Sequence, residues 1–192
     1  TDWLMQRVID SYRAPLIVTE NVQAIGLKNT FLAGHFYLGA PLLQRFETPA
    51  NTRTDINTFP DPYNQTTPSD IGMLLEDLYQ CSKMGGGALI AVAPTGITQA
   101  ECREMIEYLS RNYMPSLLEA GLTEDAFIAH KHGWVTNDGI INMLGDAGLI
   151  YTPGGDYVLS IFLYHPVQLI WDPASSLVGQ LSRAVYNFYN MP

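Results

Sequence analysis

The chain has 192 residues, of which 47% are apolar and 15% charged, and its formal net charge is −9. This composition is that of a folded chain with a packed core and excludes a disordered one. The acidic balance argues against nucleic acid and anionic membrane surfaces as partners. No apolar run reaches the length of a membrane span, no signal peptide is visible, and no repeat or low-complexity tract occurs. Cys81 and Cys102 are too few for a disulfide framework, and the sequence leaves open whether they pair.

In chain order, Trp3, Leu4, Val8 and Ile9 have helical spacing and predict a helix over residues 2 to 12. Asp2-Trp3-Leu4-Met5 already reads as the inside of a helix, as if the chain were cut from something longer. Arg13-Ala14-Pro15 breaks it. Thr19 is placed to cap a second helix that Gly26 closes, with Val22 and Ile25 facing inward. From Leu27 to Gln65 no period holds. The prolines and glycines there predict a long loop, packed because of its aromatics, with a short helix near Pro41 to Phe46.

Thr67-Pro68-Ser69-Asp70 is a helix start: a capping threonine, proline at the first position and an acid at the third. Ile71, Leu74, Leu75, Leu78 and Tyr79 form its apolar stripe, and Gly85-Gly86-Gly87 ends it. Thr98-Gln99-Ala100-Glu101 is a capping box that opens another helix, striped by Cys102, Met105, Ile106 and Leu109. After Leu122 the period becomes two, which predicts strands at 126–135, 140–151 and 156–164. Pro153-Gly154-Gly155-Asp156 turns between the last two. Asp172-Pro173 starts a final helix with Leu177, Val178, Leu181, Val185 and Phe188 on one face.

The expected fold class is therefore α+β: a helical region, a three-stranded antiparallel sheet and a C-terminal helix. The expected organisation is one domain over 1–192, with helices and loop over 1–65, helices over 66–122, and sheet plus closing helix over 123–192.

The first predicted strand carries the chemistry. Phe127, Ala129, Lys131, Gly133 and Val135 share one face. Lysine followed two places later by glycine on a strand is a means of holding an anion, because the ammonium supplies charge and the missing side chain lets a ligand lie along the backbone.

Taken together, Thr66-Thr67-Pro68-Ser69-Asp70 with its helix, then Lys131-His132-Gly133 on a strand followed by two strands and a helix, resembles the C-terminal part of the serine β-lactamase and penicillin-binding protein family. The resemblance covers most of the chain and rests on the succession of elements. Lys131-His132-Gly133 sits where that family has Lys-Thr-Gly or Lys-Ser-Gly. His132 replaces a hydroxyl that donates to the substrate carboxylate, and imidazole can donate too. By the same resemblance, the backbone N–H of Trp134 is one oxyanion-hole donor. Arg45-Phe46-Glu47-Thr48-Pro49-Ala50-Asn51 resembles the Arg-x-Glu-x-x-x-Asn of the class A loop. This would make Glu47 the general base that, with Asn51, holds the deacylating water.

Two motifs are missing. No serine is followed three places later by lysine, and Ser-Asp-Asn does not occur. Ser69-Asp70-Ile71 and Ser110-Arg111-Asn112 are look-alikes, one at a helix start and one inside a helix, both too close to Lys131. The resemblance thus implies a C-terminal portion of a serine hydrolase that performs acyl transfer on a β-lactam or a D-Ala-D-Ala-like peptide. This portion is expected to be inactive alone for want of its nucleophile. The alternatives are a glutaminase-type serine amidohydrolase and a non-catalytic binding module. No metal or organic cofactor is implied. The expected partners are a small-molecule or peptide substrate and, through the bare edge of strand 156–164, a second copy or the missing N-terminal segment. The expected location is outside the cytoplasm.

Overall fold

The computed structural model describes residues 1–55, 60–93 and 96–191. It divides the chain into two compact units, Thr1–Ile71 and Gly72 onward. The elements in order are α1 (Asp2–Val8), α2 (Ala14–Ala24), β1 (Phe31–Leu32), β2 (Asn64–Gln65), α3 (Pro68–Met84), α4 (Ala88–Val92), α5 (Gln99–Ser110), a 3₁₀ turn (Glu119–Gly121), β3 (Phe127–Asn137), β4 (Ile140–Tyr151), β5 (Tyr157–Tyr164) and α6 (Trp171–Tyr189).

In the first unit, α1 stops at Val8, earlier than its apolar spacing predicts. The chain turns where Asp10 accepts the backbone N–H groups of Tyr12 and Arg13. Helix α2 begins at Ala14 with Pro15 in its first turn, where a missing N–H is harmless. The predicted break is therefore a start, and Thr19 is not a cap. It is buried in mid-helix, where its hydroxyl accepts Leu32 N–H at 2.7 Å and faces the carbonyls of Pro15 and Leu32. Gly26, at φ 105°, does close the helix.

The long loop packs in part, with Phe31 buried and stacked on Phe46 but Phe36 and Tyr37 exposed, and residues 41–46 form no helix. Two short strands hold it instead, with Phe31 opposite Gln65 and Leu32 opposite Asn64. Asp70 ties the start of α3 to the loop by accepting Asn29 N–H and Thr30 Oγ1, each at 2.8 Å. Residues 56–59 of the loop lie outside the described residues.

In the second unit, Thr98 and Glu101 form the predicted capping box of α5. Cys81 of α3 and Cys102 of α5 are joined by a disulfide. The strands fall where alternation puts them, in the order β3-β4-β5, all antiparallel. Leu144 of β4 joins Leu117, Leu118, Ala174 and Val178 in a core between the sheet and α6. The 3₁₀ turn sits hard on α6: a Cβ at Gly121 would meet Gly179 O and Ser182 Cβ at 2.5 Å. The short helix α4 follows the triple glycine and has no sequence signal of its own.

Candidate functional site

β3 is an outer strand, paired only with β4 among the described residues, with Lys131 opposite Ala147, His132 opposite Asp146 and Gly133 opposite Gly145. Lys131 is exposed, and its ammonium donates to the carbonyl of His132 at 2.8 Å. Trp134 is also exposed. Its ring stacks on His132 at 5.7 Å and meets Trp171 of α6 edge-on at 5.3 Å.

Gly133 stands out by what it does not touch. A Cβ added there would find nothing within 4 Å, so packing does not demand glycine. The neighbouring glycines are different. A Cβ at Gly148 would lie 2.7 Å from the Cβ of His130, and one at Gly145 would lie 2.7 Å from the ring of Phe162. Those two are needed by the fold, whereas Gly133 leaves a length of backbone bare.

Beneath the strand's surface lies a charged pair that sequence reasoning missed. His130 and Asp146 are both fully buried. The Nδ1 of His130 lies 2.9 and 3.1 Å from the two carboxylate oxygens of Asp146, and its Nε2 lies 2.8 Å from the carbonyl of Asn112. Both ring nitrogens face groups that only accept, so both carry protons and the ring is an imidazolium. Asp146 Oδ2 also accepts Leu118 N–H at 3.2 Å. Burial by itself pulls the His130 proton off, but the hydrogen bond and charge of Asp146, helped by the Asn112 carbonyl, outweigh it and hold the ring above its ordinary value. A histidine and an aspartate inside otherwise apolar strand runs were the available signal, since such residues are rarely buried unless paired.

His132, two residues on, is pushed the other way. Desolvation lowers it first, then the charge of Lys131, with the charge of His130 adding and that of Asp146 opposing. Its Nδ1 is 3.0 Å from the side-chain nitrogen of Asn112, which also donates to the carbonyl of His130 at 3.2 Å. Asn112 belongs to the Ser110-Arg111-Asn112 look-alike. It follows α5 rather than lying inside it, and Ser110 turns back to the carbonyl of Glu107.

Glu47 lies in the first unit, exposed, on the loop after Arg45. Neither makes a hydrogen bond or ion pair among the described residues. Asn51 closes a turn with Thr48: its Oδ1 accepts Thr48 N–H at 2.8 Å and its Nδ2 donates to the carbonyl of Phe46 at 3.0 Å. Among the described residues, no group of three His, Cys, Asp or Glu is arranged to hold a metal ion, and no helix is long and apolar enough to cross a membrane.

The fold and this strand define an α+β protein of the β-lactamase type. The sequence profile of the Beta-lactamase enzyme family matches residues 17–189, and the chain belongs to that family. No curated protein matches the chain. Among solved structures it is similar to PBP-A, at 25% identity and a TM-score of 0.59 over 91% of this chain and 51% of that one. A point mutant of PBP-A, solved as an acyl-enzyme complex with penicillin G, gives 24% and 0.62 over 97% and 54%. A representative of class A β-lactamase from Bacteroides cellulosilyticus DSM 14838 gives 18% and 0.65 over 100% and 58%. The chain thus spans a little over half the length of each of these structures.

Proposed function

We propose that these residues form the substrate-carboxylate and oxyanion side of a serine acyl-transfer site acting on a β-lactam or a D-Ala-D-Ala-like peptide. The observation that carries the reading is the bare backbone at Gly133, which packing does not require, flanked by the Lys131 ammonium and the His132 ring. Lys131 attracts the substrate carboxylate, and His132 donates to it through Nε2. The backbone N–H of Trp134 stabilises the oxyanion. Its direction is supported by period two along the strand: the carbonyls of His130 and His132 take side-chain donors from Asn112 and Lys131, so the even residues of β3 turn their backbone groups away from β4. Glu47, by its spacing from Arg45 and Asn51, is the proposed base for the deacylating water.

With no Ser-x-x-Lys among residues 1–192, we infer that this stretch alone turns nothing over. The nucleophile and its lysine would come from elsewhere in the protein. The second reading is a binding module of the same fold without a nucleophile, which the missing motif favours. The Cys81–Cys102 disulfide supports an oxidising, extracytoplasmic location.

The test has two parts. Nitrocefin hydrolysis by this chain should equal a buffer control. The coding sequence ahead of Thr1 should carry Ser-x-x-Lys and then Ser-x-Asn. Turnover abolished by replacing a serine within these residues would sink the first statement. Uninterrupted upstream coding sequence without those motifs would leave only the binding module.

A further inference from the structure

The amide of Asn112 makes two contacts from one nitrogen, 3.2 Å to the carbonyl of His130 and 3.0 Å to Nδ1 of His132. A carbonyl can only accept, so the NH₂ end of the amide must face it, and the opposite rotamer would set oxygen against oxygen. With the amide fixed that way, Nδ1 of His132 meets a donor and can only be an acceptor. The ring proton is therefore on Nε2. That atom has no hydrogen-bond partner among the described residues, and it is not among the buried unpaired nitrogens, so it meets solvent. The backbone of Asn112 meanwhile accepts from Nε2 of His130 at 2.8 Å. One residue thus grips two histidines on the same face of β3 and leaves them in different states: His130 charged and enclosed, His132 neutral and open.

We propose that Asn112 is a positioning residue that holds the His132 ring as the uncharged Nε2–H form, so that the strand offers a fixed neutral donor beside the Lys131 charge. This deepens the reading of the strand as a carboxylate site and rests on it for what the donor meets; the state of the ring does not depend on that reading. The charged groups around the ring agree with it. Lys131 and the His130 imidazolium, on the same strand, repel a second positive charge, while Asp146 on β4 favours one but is already engaged with His130. From the end of α5 the neutral amide of Asn112 meets the ring. A donor aimed at Nδ1 favours the neutral ring because protonation there would break that bond.

The experiment is long-range ¹H–¹⁵N correlation of the histidine side chains through a pH titration. It uses the 192-residue chain, with signals assigned by His132→Gln and His130→Gln. In the wild type near neutral pH, His132 should show a bare Nδ1 and a protonated Nε2, while His130 shows both nitrogens protonated. Asn112→Ala should raise the His132 midpoint by roughly half a pH unit or more, the worth of one lost hydrogen bond. Asn112→Asp should raise it further and draw a proton to Nδ1. A role in stability alone would not order the two variants this way. A proton on Nδ1 of wild-type His132 near neutral pH, or a midpoint unmoved in both variants, overturns the proposal. If the variants fail to fold, the wild-type protonation pattern decides it. Benzylpenicillin that leaves the His132 ring signals unshifted, with the protonation pattern as stated, refutes the carboxylate-site reading and leaves the role of Asn112 standing.

Discussion

Replacing Asp146 by asparagine tests the buried pair beneath β3. The carboxylate makes three contacts: two oxygens to Nδ1 of His130 and one of them also to Leu118 N–H. An asparagine has one acceptor oxygen. Standing where Oδ2 is, it can still accept from both Leu118 N–H and His130 Nδ1, but its NH₂ end then takes the place of Oδ1, 2.9 Å from the same protonated Nδ1, donor against donor. The imidazolium is left buried without its counter-charge, and removing one partner of such a pair costs about 3–5 kcal/mol. That is a fifth or more of the roughly 5–15 kcal/mol by which an ordinary domain is stable. The ring can limit the loss by giving up its proton, which sets the pH dependence. The folded-state value of His130 is raised, so the pair's contribution is fully present below the unfolded value of about 6.5. It is lost as pH rises through the folded value. The gap between wild type and Asp146→Asn should therefore be largest near pH 6 and shrink toward pH 9. Urea unfolding read by fluorescence in a Trp3→Phe background leaves Trp134 and Trp171 as reporters of this unit. A loss under about 1 kcal/mol near pH 6, or a gap that widens with pH, would refute the buried imidazolium–carboxylate pair.

Four further outcomes are expected. Gly133→Ala should leave urea stability within about 0.5 kcal/mol of wild type, since its Cβ meets nothing, while weakening benzylpenicillin binding measured by calorimetry; equal binding would remove the reason given for that glycine. Gly148→Ala should destabilise by about 1–3 kcal/mol, because the new Cβ lies 2.7 Å from the Cβ of His130, and a neutral result in the same unfolding assay would contradict the packing described. Replacing Cys81 and Cys102 by serine should cost about 3 kcal/mol for a link across 21 residues, read as a lower urea midpoint. β5 pairs only with β4 among the described residues, and both its faces are largely apolar, so light scattering after gel filtration should give a mass above that of one chain; a clean monomer would speak against pairing through that edge.

Periodicity made the second unit legible. The period of two over 126–135, 140–151 and 156–164, bounded by turn residues, places the strands, and the Thr98–Glu101 start, like Thr67-Pro68 in the first unit, satisfies backbone N–H groups locally. The first unit was harder because its order comes from long-range polar bonds. Thr19 looks like a cap by type but is used by the distant Leu32 backbone, and the loop of 27–65 is held by Asp70 and by two-residue strands too short to carry a pattern. In the site, Lys131, His132 and Gly133 were visible as a motif. Asn112 follows Ser110 and Arg111, whose spacing imitates a different motif, and only the geometry brings its amide to His132. The pairing of His130 with Asp146 depends on strand register, which the turn at 138–139 and the shift after Val135 determine together.

We propose above that β3 at Lys131-His132-Gly133 takes the carboxylate of the substrate. Backbone ¹H–¹⁵N spectra of the chain during titration with benzylpenicillin test it most directly, with Lys131→Ala alongside. Saturable shifts centred on the amides of His132, Gly133 and Trp134, strongly reduced in Lys131→Ala, are expected. Shifts that map to another surface, or that persist unchanged without the Lys131 ammonium, would contradict it.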